Sequence, residues 1–286
     1  LFLKTMGILK TGELASKKTQ RLIDKKKQEV LTLLRENWRE EMVNTQLDSM
    51  SHRYLLYVPA QNIVDHINLF RNLKDRDFIW QITKENDSDI RTVSICGKDK
   101  PGFYSKIAGI FFLNHIDIVA SQAYSLGDSH ILDIFKVMPP KDLIFEREKW
   151  EKAEQDLTHA LEDDHFLDKA LGKIPKTLAI SSGTPPETSQ VRIDNQTSSF
   201  FTIIEVLTYD FPGLLFSITN ALYRNGLNVN VAMVGGKVDQ VIDIFYVRDI
   251  NGDQKIESDE MLEQIKTSIL NTLPHISAQE VLNEKN

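Results

Sequence analysis

The chain has 286 residues, of which 41% are hydrophobic and 26% charged, and its formal net charge is −7. At about 100–200 residues per domain this is two domains or three small ones, with an ordinary globular composition that argues against disorder or a fibrous fold. The acidic balance argues against a general nucleic-acid binder, the longest clean apolar run, Ile107–Leu113, is too short to span a bilayer, and the single Cys96 can form neither an internal disulfide nor a Cys-based zinc site.

A reducing, cytoplasmic setting is expected from that cysteine usage. No charged-then-apolar leader opens the chain, and a first residue of Leu1 rather than Met is expected of a piece cut from a longer protein. Residues 1–50 read as helix. Leu22, Val30, Leu33, Leu34 and Trp38 fall at three- and four-residue steps, with Lys25, Lys26, Lys27, Arg35 and Glu36 opposite them. The basic cluster reads as a solvated helix face. A shorter apolar helix is expected over residues 52–75, with Pro59 near its start and Ile63, Val64, Ile67, Leu69 and Phe70 inside.

Strands are expected at Asp77–Trp80 and Thr92–Cys96, and from there the sequence repeats. Asp99-Lys100-Pro101-Gly102-Phe103 aligns with Asp210-Phe211-Pro212-Gly213-Leu214 at an offset of 111 residues. Ile107 then meets Ile218, Asn114 meets Asn225, Ile116 meets Leu227 and Ile118 meets Val229. After one gap, Ile131–Val137 lies over Val241–Val247. Two widely spaced copies indicate a tandem domain pair rather than a solenoid.

Each copy predicts a strand into Asp-x-Pro-Gly (Thr92–Cys96; Thr202–Leu207) and a helix opened by Pro-Gly (Gly102–Leu113; Gly213–Tyr223). A second strand (Asp117–Tyr124; Asn228–Val234), a hairpin turn and a third strand follow. A second helix (Glu146–Leu171; Asp259–Leu273) and a short final strand (Gln190–Ile193; Ser277–Val281) close each copy. The fold class is α+β: two ferredoxin-like βαββαβ units behind a helical segment. Expected boundaries are 1–84 for that segment, 85–195 for the first unit, with a loop at 172–188, and 196–286 for the second.

This repeat resembles the ACT domain, a small-molecule-sensing module, on the two Asp-x-Pro-Gly elbows, on Gly226-Leu227-Asn228-Val229 and on the Asp-Ile-Phe core of the third strand in both copies. Val191–Asn195, Thr202–Val206 and Asp210–Leu215 are further similar to the junction between the paired ACT domains of the PII uridylyltransferase/uridylyl-removing enzyme family. Arg53–His66 is similar to the stretch before that pair, and residues 1–45 to the tail of the family's HD phosphohydrolase part. The resemblance implies a regulatory module whose effector is an amino acid, glutamine as the nitrogen signal, and whose protein partner is PII through the parent enzyme. From charge and apolar run length no nucleic-acid or membrane partner is expected, and exposed strand edges leave room for a homodimer, with the oligomeric state open. No catalytic residue is assigned. The family's Gly-Ser with paired aspartates is missing, and Asp65-His66 reverses its His-Asp pair. Both catalytic parts, and the Mg²⁺ they need, are expected upstream of Leu1, with no cofactor and no metal site in this chain.

The ligand-binding candidates are Asp99, Lys100, Gly102, Phe103 and Asn114 in the first copy, and Asp210, Phe211, Gly213, Leu214, Asn228 and Val229 in the second. Amides at a helix start attract a ligand carboxylate, and glycine permits close approach to the backbone. Exposed carbonyls, the elbow Asp or Asn228 can take an ammonium. Asp99 and Asp210 read equally as helix N-caps, and Asn228 as a turn residue. Asp133 and Asp243 are expected to face outward by strand alternation. In copy one His115-Ile116-Asp117-Ile118 replaces Gly-Leu-Asn-Val. Asp249–Glu260 approaches an EF-hand loop but has Gln254 where the sharp turn wants Gly. His159 and His165 lack a third ligand, and Gly235-Gly236 reads as a strand-end turn. A docking or dimerisation module without ligand is the alternative function.

Overall fold

The structure, a computed structural model, describes residues 17–34, 40–86, 88–126, 130–140, 144–172, 189–237, 240–251 and 254–273. The expected hairpin tips, the loop at 172–188 beyond Gly172 and the strand at Ser277–Val281 lie outside these residues, as does Trp38.

The helical segment consists of α1 (Lys17–Leu33), α2 (Glu40–Ser49), α3 (His52–Tyr57) and α4 (Ala60–Leu73). The helix expected over 52–75 is broken at Pro59, which stands as the N-cap of α4; the residue before a proline is driven out of helical geometry. Ser51 caps α3 by accepting from the Tyr54 amide. On α1, Ile23 and Val30 are buried, but Leu22 and Leu33, expected in the core, are 52% and 42% exposed. The apolar stripe is narrower than the sequence suggests because α1 buries one face, against α2, α3 and α4.

Among the described residues nine strands form one antiparallel sheet: β1 (Phe78–Lys84), β2 (Arg91–Lys98), β3 (Asp117–Leu126), β4 (His130–Met138), β5 (Gln190–Asp194), β6 (Thr202–Thr208), β7 (Leu227–Val234), β8 (Gly236–Lys237) and β9 (Gln240–Asp249). The order along the sheet is β1-β2-β4-β3-β7-β9-β6-β5, with β8 on β9. Two ferredoxin-like halves thus join side by side, β3 against β7, through Ser121↔Val234, Gln122↔Met233 and Ala123↔Ala232.

One expectation is corrected here. Gln190–Ile193, read as the strand closing the first copy, pairs with β6 of the second, Val191 opposite Val206. The edge beside β2 is filled instead by β1, Trp80 opposite Ile95. Each half therefore takes its edge strand from the chain before its elbow. The hairpin connections β1–β2 and β5–β6 explain this, since neighbours in sequence pair most readily.

The helices α5 (Phe103–Leu113), α6 (Glu146–Glu162), α7 (Phe166–Leu171), α8 (Leu214–Arg224) and α9 (Asp259–Leu270) share one large core with the sheet. α5 is buried from Phe103 through Phe111, as an all-round apolar helix must be. The continuous helix expected over Glu146–Leu171 is interrupted at Asp163, whose Oδ1 accepts from the His165 amide at 2.9 Å and whose Oδ2 accepts from Lys169 Nζ at 2.9 Å. On the opposite face, α1–α4 pack against the first half, where Tyr124, Leu126 and Leu132 meet Ile23, Val30, Tyr54 and Ile63.

Candidate functional site

The two elbows share one geometry. Gly102 and Gly213 hold φ of 74° and 84°, and each is the N-cap of its helix without a side-chain capping bond. The N-cap role expected of Asp99 and Asp210 thus falls to glycine, because the turn demands a left-handed residue there. The α8 amide of Leu214 donates to the Phe211 carbonyl at 3.0 Å. Those of Leu215 and Phe216 have no acceptor within the helix, which is the general condition of a first turn.

Each elbow is completed by the other half. A Cβ on Gly213 would stand 3.0 Å from the Phe112 ring of α5, and one on Gly102 would stand 2.8 Å from the Tyr223 ring of α8. The second elbow opens on a cavity of about 440 Å³ at the β3–β7 seam. Its walls are Asp210–Leu214, the α5 residues Ala108 and Phe112, the head of β3 from Ile116 to Val119, and Val234, Gly235 and Asp243. That size suits a small ligand.

Of the expected ligand residues, Asp210, Phe211, Gly213 and Leu214 meet in this cavity. The others lie elsewhere. Asn228 donates from Nδ2 to Asp99 Oδ1 across the seam at 3.3 Å, so it serves the first elbow and not its own. Lys100 pairs with Asp77 at 2.8 Å. Phe103 is core, and Val229 packs against that core. Asn114 is a helix C-cap: its Nδ2 donates to the Ile110 carbonyl and to Asp156 Oδ2 at 3.0 and 2.9 Å.

Sequence reasoning missed Phe112, Asp117 and Asp243. The repeat held the signal for Asp117, which takes the position of Asn228 at the 111-residue offset. Once the elbows are crossed between halves, Asp117 faces Asp210 as Asn228 faces Asp99.

The strand aspartates correct the alternation argument. Asp133 and Asp243 are 3% and 1% exposed, and both share the helix-covered face with Phe135 and Phe245 two residues on. Burial raises the Asp133 carboxyl well above its ordinary range, and Asp99 adds to the rise. Burial pushes Asp243 up to about 8; the Gly235 amide draws it down and Asp210 pushes it up. Partial burial also raises Asp210, with a contribution from Asp117. Asp243 Oδ1 has no hydrogen-bond partner.

Among the described residues no group of three or more His, Cys, Asp or Glu is gathered to hold a metal ion. In the EF-hand-like stretch, Asp249 Oδ1 accepts from the Asn251 amide at 2.7 Å, and Lys255 Nζ donates to the Asn195 carbonyl at 2.8 Å. No helix among the described residues is long and apolar enough to cross a membrane.

Fold and elbows together define a tandem of ferredoxin-like units with a small-molecule-sized cavity between them, and residues 202–259 match the ACT domain. Along most of its length the chain is similar to bifunctional uridylyltransferase/uridylyl-removing enzymes, so the resemblance drawn from the elbows holds. It is 26% identical over 272 residues to that of Rhodospirillum rubrum, covering 94% of this chain and 29% of the relative. It is 31% identical over 195 residues to that of Azospirillum brasilense, covering 66% and 20%. To that of Bradyrhizobium sp. (strain ORS 278) it is 27% identical over 248 residues, covering 83% and 26%. The chain thus spans less than a third of the length of these relatives.

Proposed function

We propose that this regulatory ACT module senses glutamine for a PII uridylyltransferase/uridylyl-removing enzyme. The observation that carries the reading is the seam cavity, walled by the second elbow and by α5 and β3 of the other half. A ligand there touches both halves, so it binds one mutual arrangement better than others and shifts the population toward it. Its carboxylate faces the free amides at the start of α8. Uridylyl transfer and removal, and the contact with PII, belong to the parent enzyme. Calorimetry of this chain with a panel of amino acids tests the reading: saturable binding is expected for glutamine. Silence toward every member at millimolar concentration, with the fold intact, refutes it.

A dimerisation or docking role without ligand has one structural support, the edges β1 and β5 at the two ends of the sheet. The β3 and β7 edges are already paired within the chain. Sedimentation would detect a second copy added at either end.

A further inference from the structure

We propose that Asp243 is the counter-charge for a primary ammonium group in the seam cavity, so that binding of a cationic amine there is coupled to release of a proton. The inference rests on the ligand reading above and names the ligand chemistry and the residue that selects it.

Three carboxylates line the cavity: Asp117 at the head of β3, Asp210 on the elbow and Asp243 on β9. Asp117 is exposed and Asp210 sits at the accessible rim, whereas Asp243 is 1% exposed. Oδ1 of Asp243 is buried without a hydrogen-bond partner, and Asp243 is a wall of the cavity. A buried polar atom without a partner is costly, and natural structures rarely leave one unexplained. Its position beside a cavity gives the explanation, since an incoming N–H group supplies the missing bond. The site offers both kinds of partner: the α8 amides suit a carboxylate, and Asp117 and Asp243 suit a cation.

The protonation follows from the surroundings. The titratable groups around Asp243 are Asp210 on the elbow, Asp117 facing Asp210, and Tyr104 on α5, whose hydroxyl bonds Ser121 Oγ at 2.5 Å. Among the described residues none of these is a cation, and the Gly235 amide alone favours the ionised form against burial and Asp210. With its carboxyl pushed up to about 8, Asp243 carries its proton at neutral pH. The ammonium replaces that proton: the O–H bond of the carboxyl breaks, the proton passes to solvent, and the carboxylate accepts an N–H bond. Affinity therefore rises with pH from the acid side and levels near pH 8.

The test uses L-glutamine and its des-amino analogue, glutaramic acid, in calorimetry at pH 7 in buffers of different ionisation enthalpy. Release of most of a proton per glutamine bound is expected, since a carboxyl pushed up to about 8 is largely protonated at pH 7. Glutaramic acid should bind roughly 10- to 100-fold more weakly, without proton release, because it lacks a charge-assisted hydrogen bond. Asp243→Asn should lose glutamine affinity by a similar factor. It should also melt higher than wild type without ligand at neutral pH, since a carboxyl raised by folding opposes folding once the unfolded chain ionises it. Equal binding of the two compounds, absence of proton release, or wild-type affinity in Asp243→Asn overturns this inference while the ligand reading stands. No binding of any amino acid takes both down.

Discussion

Three glycines with similar positive φ provide a controlled measurement of what the elbows do. Gly102, Gly213 and Gly226 hold φ of 74°, 84° and 74°. An alanine in that region costs about 1–2 kcal/mol from the backbone alone. At Gly226 a Cβ meets nothing within 4 Å, so Gly226→Ala should lose only that amount. At Gly213 the Cβ stands 3.0 Å from the Phe112 ring, and at Gly102 2.8 Å from the Tyr223 ring. Overpacking of this kind adds about 1–3 kcal/mol. The expected order of stability loss in urea titration is Gly226→Ala, then Gly213→Ala, then Gly102→Ala. Glutamine binding separates them further. Phe112 is a cavity wall, so Gly213→Ala should weaken binding roughly tenfold, about 1.4 kcal/mol, while Gly226→Ala leaves it unchanged. Equal destabilisation by Gly226→Ala and Gly213→Ala, or full binding in Gly213→Ala, would refute the claim that the elbow is completed by the facing helix.

The remaining expectations concern the framework. His66 lies between Tyr54 Oη at 2.8 Å and Ser94 Oγ at 3.1 Å, and burial lowers its pKa to about 4. The unfolded imidazole takes up a proton below about 6.5 while the folded one does not. Stability is therefore full above that pH and falls by about 3 kcal/mol as pH drops toward 4; Tm against pH should show this loss, and His66→Gln should flatten it. Arg91 donates to both oxygens of Glu146 at 2.8 Å, so Arg91→Ala should cost about 1.5–3 kcal/mol in urea titration. Arg91→Lys should recover only part of it, because an ammonium cannot span both oxygens; full recovery would count against the paired geometry. Ile23→Ala should cost about 2–4 kcal/mol and Leu22→Ala under about 0.5; comparable losses would place α1 the other way round.

Much of the fold was legible because the two elbows align residue for residue. The Pro-Gly turns, the helices they open and the Ile-Phe strands are local signals, and the structure places them where the sequence does. Features set by what lies on the far side of an element were not legible. Alternation along Ile131–Phe135 gives parity, but both faces of β4 are covered, one by α5 and the other by the α1–α4 segment. Polarity alone then put Asp133 and Asp243 on the wrong side. The β5 partner was ambiguous for a related reason: a five-residue strand fits either half, and only the short hairpin to β6 decides. Asn228 was assigned to its own elbow because adjacency in sequence suggested it, whereas the crossed seam hands it to Asp99.

The β3–β7 seam holds three residue pairs in register, against eight between β2 and β4 and seven between β6 and β9. The halves are otherwise joined by side chains, α5 against α8 within one shared core, so little backbone bonding crosses from one half to the other. A guest lodged beside the seam acts as a rivet across the joint between the halves, and its departure returns that joint to play.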